Sequence, residues 1–180
     1  MDKILFTRTR AVKAPTRANI HDAGIDFFMP VVDDVMVEDL KKKNPQQYYY
    51  TGDENTENSY LVIPPHQRIL IPSGIKVWIN PKNTALIAFN KSGVSTKQGI
   101  DVLACVVDAD YTGEVHLSLL NTSDDAVIFK SGDKVVQFIH TPILLTGMEE
   151  IDIDKYNQEV AKVGTDRGEG GFGSTDKKKK

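Results

Sequence analysis

Apolar residues in this chain come in short runs. Lys3 to Thr7, Gln67 to Ile71, Gly74 to Ile79, Thr84 to Phe89, Val102 to Val107, Val115 to Leu120, Ala126 to Phe129 and Lys134 to Pro142 are rich in β-branched and aliphatic residues. They recur about every ten residues with Pro, Gly, Asn and Asp between them, the punctuation of strands joined by turns. Val115-His-Leu-Ser-Leu alternates with period two, as a half-buried strand does. No long stretch shows helical periodicity. The pattern predicts an all-β domain, a barrel or a jelly roll, and not a sheet with crossover helices.

Two regions depart from this rhythm. Residues 31–60 contain Lys41-Lys-Lys-Asn-Pro-Gln-Gln-Tyr-Tyr-Tyr50 and the acidic run after Gly52, and read as an inserted surface loop with one short helix at Val35 to Lys42. From Glu150 hydrophobicity falls and glycine rises. The expected organisation is a barrel domain over 1–163 and a flexible arm over 164–180.

Composition narrows the classes. A chain of 180 residues that is 40% hydrophobic can build one real core. Its net charge of -3 offers no global basic field for a nucleic-acid partner. Lys177 to Lys180 read as a solvated tail. Cys105 is the single cysteine, so no intramolecular disulfide forms and a reducing, cytoplasmic setting is expected. No apolar run reaches membrane-span length, and no signal-peptide core opens the chain.

Five segments carry chemistry-bearing residues. In the last, Arg167, Gly168, Gly170, Gly171, Phe172, Gly173, Ser174 and Thr175 fall together. Glycines let backbone amides approach phosphate, arginine binds phosphate bidentately, hydroxyls donate, and a phenyl face stacks on a base. Asn90-Lys-Ser-Gly-Val-Ser-Thr-Lys-Gln-Gly99 offers Ser92 and Gly93 to an anion, or is an ordinary polar turn. In Val106-Val-Asp-Ala-Asp-Tyr-Thr-Gly-Glu114, Asp108 could polarise a water and Tyr111 pack on a sugar; the same residues also make an Asx-type turn. Ser131-Gly-Asp-Lys-Val-Val-Gln137 is a turn entering a strand, and Asp22-Ala-Gly-Ile-Asp-Phe27 an acidic turn. Trp78 and Cys105 read as core residues, and the four histidines show no triad or metal pattern.

In this order the segments resemble the five motifs of the trimeric dUTP diphosphatase (dUTPase) family: Ala23-Gly-Ile-Asp26, Lys91-Ser-Gly93, Val107-Asp-Ala-Asp-Tyr111 with Gly113, Gly132-Asp-Lys with Gln137, and Arg167-Gly-Glu-Gly-Gly-Phe-Gly-Ser174. The resemblance runs over about residues 3–176 and implies the family's fold, a jelly-roll-like β-barrel, together with a homotrimer with shared active sites and magnesium-dependent hydrolysis of dUTP to dUMP and pyrophosphate. By the same resemblance Asp108 activates the attacking water, Gln137 orients it and Asp26 supports the site. Ser92, Gly93 and Lys91 would bind phosphate, Val107 and Tyr111 the nucleoside, and Phe172 the uracil. Arg167, Gly171, Gly173, Ser174 and Thr175 would close over the γ-phosphate, with Mg2+ held by phosphate oxygens and water. The second motif has Lys91 where the family usually has arginine, and Leu103-Ala-Cys105 stands where glycines usually precede the aspartate.

Two other readings compete. A dCTP deaminase of the same fold would need a glutamate where Ser118 stands, and serine cannot act as that base. A nucleotide-binding regulatory protein would use the 31–60 insertion as the surface for a protein partner.

Overall fold

A computed structural model describes residues 3–165 and 168–170. Strands dominate: β1 (Leu5–Arg8), β2 (Ile25–Phe28), β3 (Tyr50–Gly52), β4 (Tyr60–Ile63), β5 (Arg68–Trp78), β6 (Thr84–Phe89), β7 (Ile100–Ala104), β8 (Val106–Val107), β9 (Glu114–Asn121), β10 (Val127–Lys130) and β11 (Lys134–Pro142). Among the described residues α1 (Asp34–Lys43) and α2 (Ser92–Gln98) lie between strands, and α3 (Ile153–Val163) follows the last one. The strands form sheets ordered β1-β5-β9-β7, β10-β4-β3 and β2-β11-β6-β8. The all-β, jelly-roll-like expectation holds, although among the described residues the sheets do not close into one hydrogen-bonded ring.

Alternation along β9 puts Val115, Leu117, Leu119 and Asn121 inward and His116 and Ser118 toward the other face. Val115, Leu117 and Leu119 join Phe27, Leu61, Ile71, Ile75, Leu86, Phe129 and Phe138 in one core. Phe27 and Phe138 meet with ring centroids 4.5 Å apart at 52°. The two runs expected on either side of Pro72-Ser73 are a single strand, β5. It pairs with β9 along one edge, from Arg68 to Pro72 and again at Lys76 after a register shift, and with β1 along the other edge from Ile75 to Trp78. Proline, which cannot donate to a ladder, sits where the register with β9 breaks. Gly74 follows at φ +74 with the Arg10 side chain packed where a Cβ would stand, so only glycine fits.

Residues 31–60 are not a surface loop. Val32, Met36 and Leu40 are fully buried, and Tyr60 to Ile63 form β4 in a core-lining sheet. Met36 and Leu40, four apart, put one face of α1 into the core. The Asp33 side chain caps α1 by accepting from Met36 N at 2.8 Å. Buried Asn44 ties the far end to β5: it accepts from Leu70 N at 2.8 Å and donates to Leu70 O at 3.0 Å and Leu40 O at 2.9 Å. Ser59 Oγ accepts from Val32 N at 2.8 Å. The polar composition concealed these few buried positions.

Trp78 is also displaced from expectation. It is 50% exposed, and Lys82 Nζ lies 4.4 Å from its ring centroid. In β5 the strand period sends Ile75 and Val77 inward and leaves Trp78 outside under a cation. Cys105, expected buried, is half-buried at the break between β7 and β8.

The chain divides into two compact units, Met1–Leu144 and Leu145–Lys180. The second contains α3, which the sequence pattern did not predict. Asp152 caps it by accepting from Lys155 N at 2.8 Å, and its Ile153, Tyr156, Val160 and Val163 are exposed. No described helix is long and apolar enough to cross a membrane.

Candidate active site

Three of the five segments converge on the β2-β11-β6 side of one sheet. The segment expected as an acidic turn continues into β2, which carries Asp26 opposite Gln137 of β11, and Gln137 in turn stands opposite Phe89 of β6. Asp26 is 4% exposed. Such a carboxylate needs partners, and it has two: Lys91 donates to Oδ1, and Lys134 Nζ to Oδ2 at 2.6 Å. Burial alone would raise the Asp26 carboxyl, but the hydrogen bonds from Lys134 and Lys91 outweigh it and hold the group below the usual carboxylate range. Asp26 is therefore an ionised anchor, and Lys91 and Lys134 are oriented cations at its rim.

Gln137 Nε2 donates to Asn90 O at 2.8 Å. Its side-chain oxygen and Cβ occupy the space a Cβ on Gly24 would need. Glycine at 24 thus lets Gln137 reach the Asn90 carbonyl, which fixes the residue before Lys91.

The Asn90–Gly99 segment is not an open turn: Ser92 to Gln98 form α2, closed by Gly99 at φ +70. Its cap, Lys91, makes no side-chain capping bond. The first-turn amides of Ser92 and Gly93 are thus left for an outside acceptor, and a Cβ on Gly93 would meet open space. Short-helix amides flanked by two cations suit phosphate oxygens.

Asp108, Tyr111 and Val107 lie elsewhere. Val107 of β8 pairs with Leu86, so Asp108 follows the edge strand opposite β2. Two strand spacings separate β8 from β11, about 10 Å. Asp108 also points past the Ala85 end of β6, whereas Gln137 lies at Phe89, about 13 Å along the strand. The Asp108 carboxylate is exposed. Tyr111 N donates to Asp108 O at 3.1 Å, and the Tyr111 hydroxyl to Glu114 O at 2.8 Å, closing a tight turn. Lys82 Nζ donates to Ala109 O at 2.6 Å and braces it. Arg167, Gly171, Phe172, Gly173, Ser174 and Thr175 lie outside the described residues. Among those described nearby, Gly168 N donates to Thr165 Oγ1 at 2.7 Å.

Sequence reasoning missed Lys134, Lys82 and Asn90. Lys134 stood inside a quoted segment and could have been matched to Asp26 as its second cation; Lys82 gave no signal. Leu103 and Ala104 are exposed at the end of β7, where the register shifts, so the stretch that departs from the family pattern borders the Asp108 turn.

Helix amides and cations at one corner, and an exposed acid and aromatic at another, are the equipment of a nucleoside triphosphate hydrolase. The dUTPase family model matches residues 56–176. The chain is 34% identical over 121 residues to a deoxyuridine 5'-triphosphate nucleotidohydrolase of Actinobacillus pleuropneumoniae serotype 3, covering 66% of this chain and 75% of that protein. Among solved structures, a mutant dUTPase of Staphylococcus bacteriophage 80alpha with dUpNHpp superposes with TM-score 0.70 at 17% identity, covering 97% and 99% of the two chains. A mutant dUTPase from phage phi11 of S. aureus, described with a structural Mg(II) ion, gives 0.63 at 16%, covering 84% and 97%. The chain belongs to the dUTPase family and is a dUTP diphosphatase. The matched range begins after Asp26, so the first segment rests on the structure and its own motif.

Proposed function

We propose that each active site is shared between copies of this chain in a homotrimer, and that hydrolysis proceeds by water attack on the α-phosphorus of dUTP. The observation that carries this reading is the separation of the two half-sites. Asp26, Lys91, Ser92, Gly93 and Gln137 gather near one edge of the β2-β11-β6-β8 sheet, while Asp108 and Tyr111 follow the opposite edge. A residue that activates water must come within hydrogen-bond reach of it. A second copy that brings its Asp108 turn to the first copy's phosphate corner meets that demand. The 164–180 arm of a third copy would then close over the nucleotide, with Phe172 on uracil and Arg167, Gly171, Gly173, Ser174 and Thr175 about the γ-phosphate.

In this arrangement Asp108 accepts a proton from water as the water oxygen attacks the α-phosphorus. The bond to the bridging oxygen breaks and pyrophosphate leaves. Gln137 orients the water. Lys91, Lys134 and the amides of Ser92 and Gly93 offset charge on the phosphate chain. Tyr111 lies against the deoxyribose, and Val107 borders the base. Magnesium, a hard cation that retains several waters, would neutralise further charge on the phosphate oxygens that hold it. The donor set fits: Asp26 is taken up by two lysines, and the exposed carboxylates of Asp108 and Asp110 suit the ion's outer water shell.

The test is magnesium-dependent pyrophosphate release from dUTP, dTTP, dCTP and UTP, together with subunit mixing. Asp108→Asn and Gln137→Ala chains are each expected to be nearly inactive. Unfolded and refolded together they should regain activity, because mixed assemblies contain sites with both residues intact. No recovery on mixing would sink the shared site. Equal turnover of dUTP and dCTP would show that Leu103-Ala-Cys105 does not read uracil.

A further inference from the structure

Helix α1 reaches the Tyr111 turn through two side chains. Arg10, in the segment after β1, has a side chain only 8% exposed. Its Nη2 donates to Asp39 Oδ2 of α1 at 2.9 Å and to Glu114 Oε2 at 3.3 Å, and its Nε donates to Glu114 Oε1 at 3.2 Å. Glu114 Oε1 also accepts from Gly74 N at 2.6 Å. The Glu114 carboxylate is therefore pinned from two sides at the start of β9. The carbonyl of the same residue accepts the Tyr111 hydroxyl at 2.8 Å. Gly113 admits this contact, since a Cβ there would stand 2.4 Å from the Tyr111 hydroxyl oxygen. Arg10 Nη1 and His116 Nε2 are buried here without a hydrogen-bond partner among the described residues, so the cluster carries a desolvation cost that apolar packing would avoid.

We infer that Arg10, clamped between Asp39 and Glu114, is a positioning residue for sugar selection: it sets the Glu114 carbonyl and, through it, the ring of Tyr111. This rests on the assignment of Tyr111 to the deoxyribose. A ring excludes a 2′-hydroxyl only if it cannot yield, because an apolar wall alone discriminates weakly against one added hydroxyl. A planar guanidinium held by two carboxylates is a rigid strut, which a lysine would not reproduce. Asp39 is itself fixed, since Met36 and Leu40 seat α1 in the core. The helix inserted between β2 and β3 thus contributes to substrate choice from beneath the turn, without touching substrate.

The experiment compares kcat/KM for dUTP and UTP, by pyrophosphate release, in full-length Asp39→Asn, Asp39→Glu and Arg10→Lys. Asp39→Asn and Arg10→Lys are also made in a Tyr111→Phe background, and thermal unfolding is recorded for each. Asp39→Asn and Arg10→Lys should lower the dUTP-over-UTP ratio about threefold to tenfold, the effect of one lost hydrogen bond, with KM for dUTP rising more than kcat falls. Asp39→Glu should restore much of the ratio. In Tyr111→Phe the same substitutions should add nothing, because the hydroxyl link is already cut. An unchanged ratio with a lowered Tm would reduce the cluster to a structural ion pair and overturn the inference, as would fully additive losses. The underlying assignment fails separately: Tyr111→Ala would then leave the ratio untouched.

Discussion

The Asp26 corner and the Asp108 turn belong to opposite edges of one sheet and are built in opposite ways. Asp26 is buried, doubly ion-paired and fixed by strands that contribute Phe27 and Phe138 to the core. Asp108 is exposed on a turn held by a backbone bond, the Tyr111 hydroxyl and Lys82. The first acid owes its state to folding and stabilises the fold in return. The second is free for chemistry and contributes little to the fold. Substitutions at the two edges should therefore separate stability from turnover.

The largest expected effect tests that separation at the turn. Asp108→Asn should lower kcat for dUTP by about 10²–10⁴-fold, the usual contribution of a general base. Its Tm should stay near that of the unsubstituted chain. Unchanged turnover would remove Asp108 from the chemistry. A large drop in Tm would show that the turn bears structural load after all.

The inserted region, expected at the surface, joins the buried side of the comparison. Leu40→Ala deletes a fully buried side chain from α1 and should cost about 2–5 kcal/mol by denaturant unfolding. A cost within the range of surface substitutions would return 31–60 to the status of a loop. Sequence pattern failed here for a physical reason. The short helix expected at Val35 to Lys42 is there as α1, but its burial was missed, because Val32, Met36 and Leu40 lie among many charged residues. By contrast Thr84–Phe89 and Lys134–Pro142 were readable to the residue, because each is a β-rich run ended by turn residues. α3 was passed over although Ile153, Tyr156, Val160 and Val163 hold a helical spacing, because the fall in hydrophobicity and the glycines that follow made the whole stretch read as an arm. In the site, the residue types were legible but their pairings were not. Asp26 looked like part of a turn because its charge is balanced by Lys91, 65 positions away. The opposite-edge placement of Asp108 depends on β8 pairing with β6, which no local pattern announces.

Asp26→Asn sharpens the other half of the contrast. It leaves Lys91 and Lys134 facing a neutral amide. The Lys134 side chain is 43% exposed and can turn to water, so the cost should fall below that of breaking a fully buried pair, at about 1–3 kcal/mol in chemical unfolding. Turnover should fall as well, since Lys91 loses its anchor. A variant as stable as the unsubstituted chain would mean that the ion pairs only offset their own desolvation.

The smallest effect, the pH dependence of stability, reads the buried edge alone. Asp26 is held below its ordinary value of 3.8 when folded. Above 3.8 both folded and unfolded states are ionised, and its stabilisation is fully present. As pH falls below 3.8 the unfolded chain takes up the proton first, and that stabilisation drains until the folded carboxyl also protonates. His116 acts at higher pH. Burial, the largest influence, and the nearby charge of Lys43 lower it from 6.5 against the opposing Glu114 carbonyl, so the folded chain resists protonating it. Stability should therefore begin to fall as pH drops past 6.5 and fall further below 3.8. His116→Gln should flatten the first decline. Asp26→Asn should flatten part of the second, the remainder belonging to Asp39, which Arg10 also holds low. Urea unfolding midpoints measured across this range would decide the matter. If Asp26→Asn left the acid limb unchanged, the reading of the Asp26 edge as the stabilising one would fail.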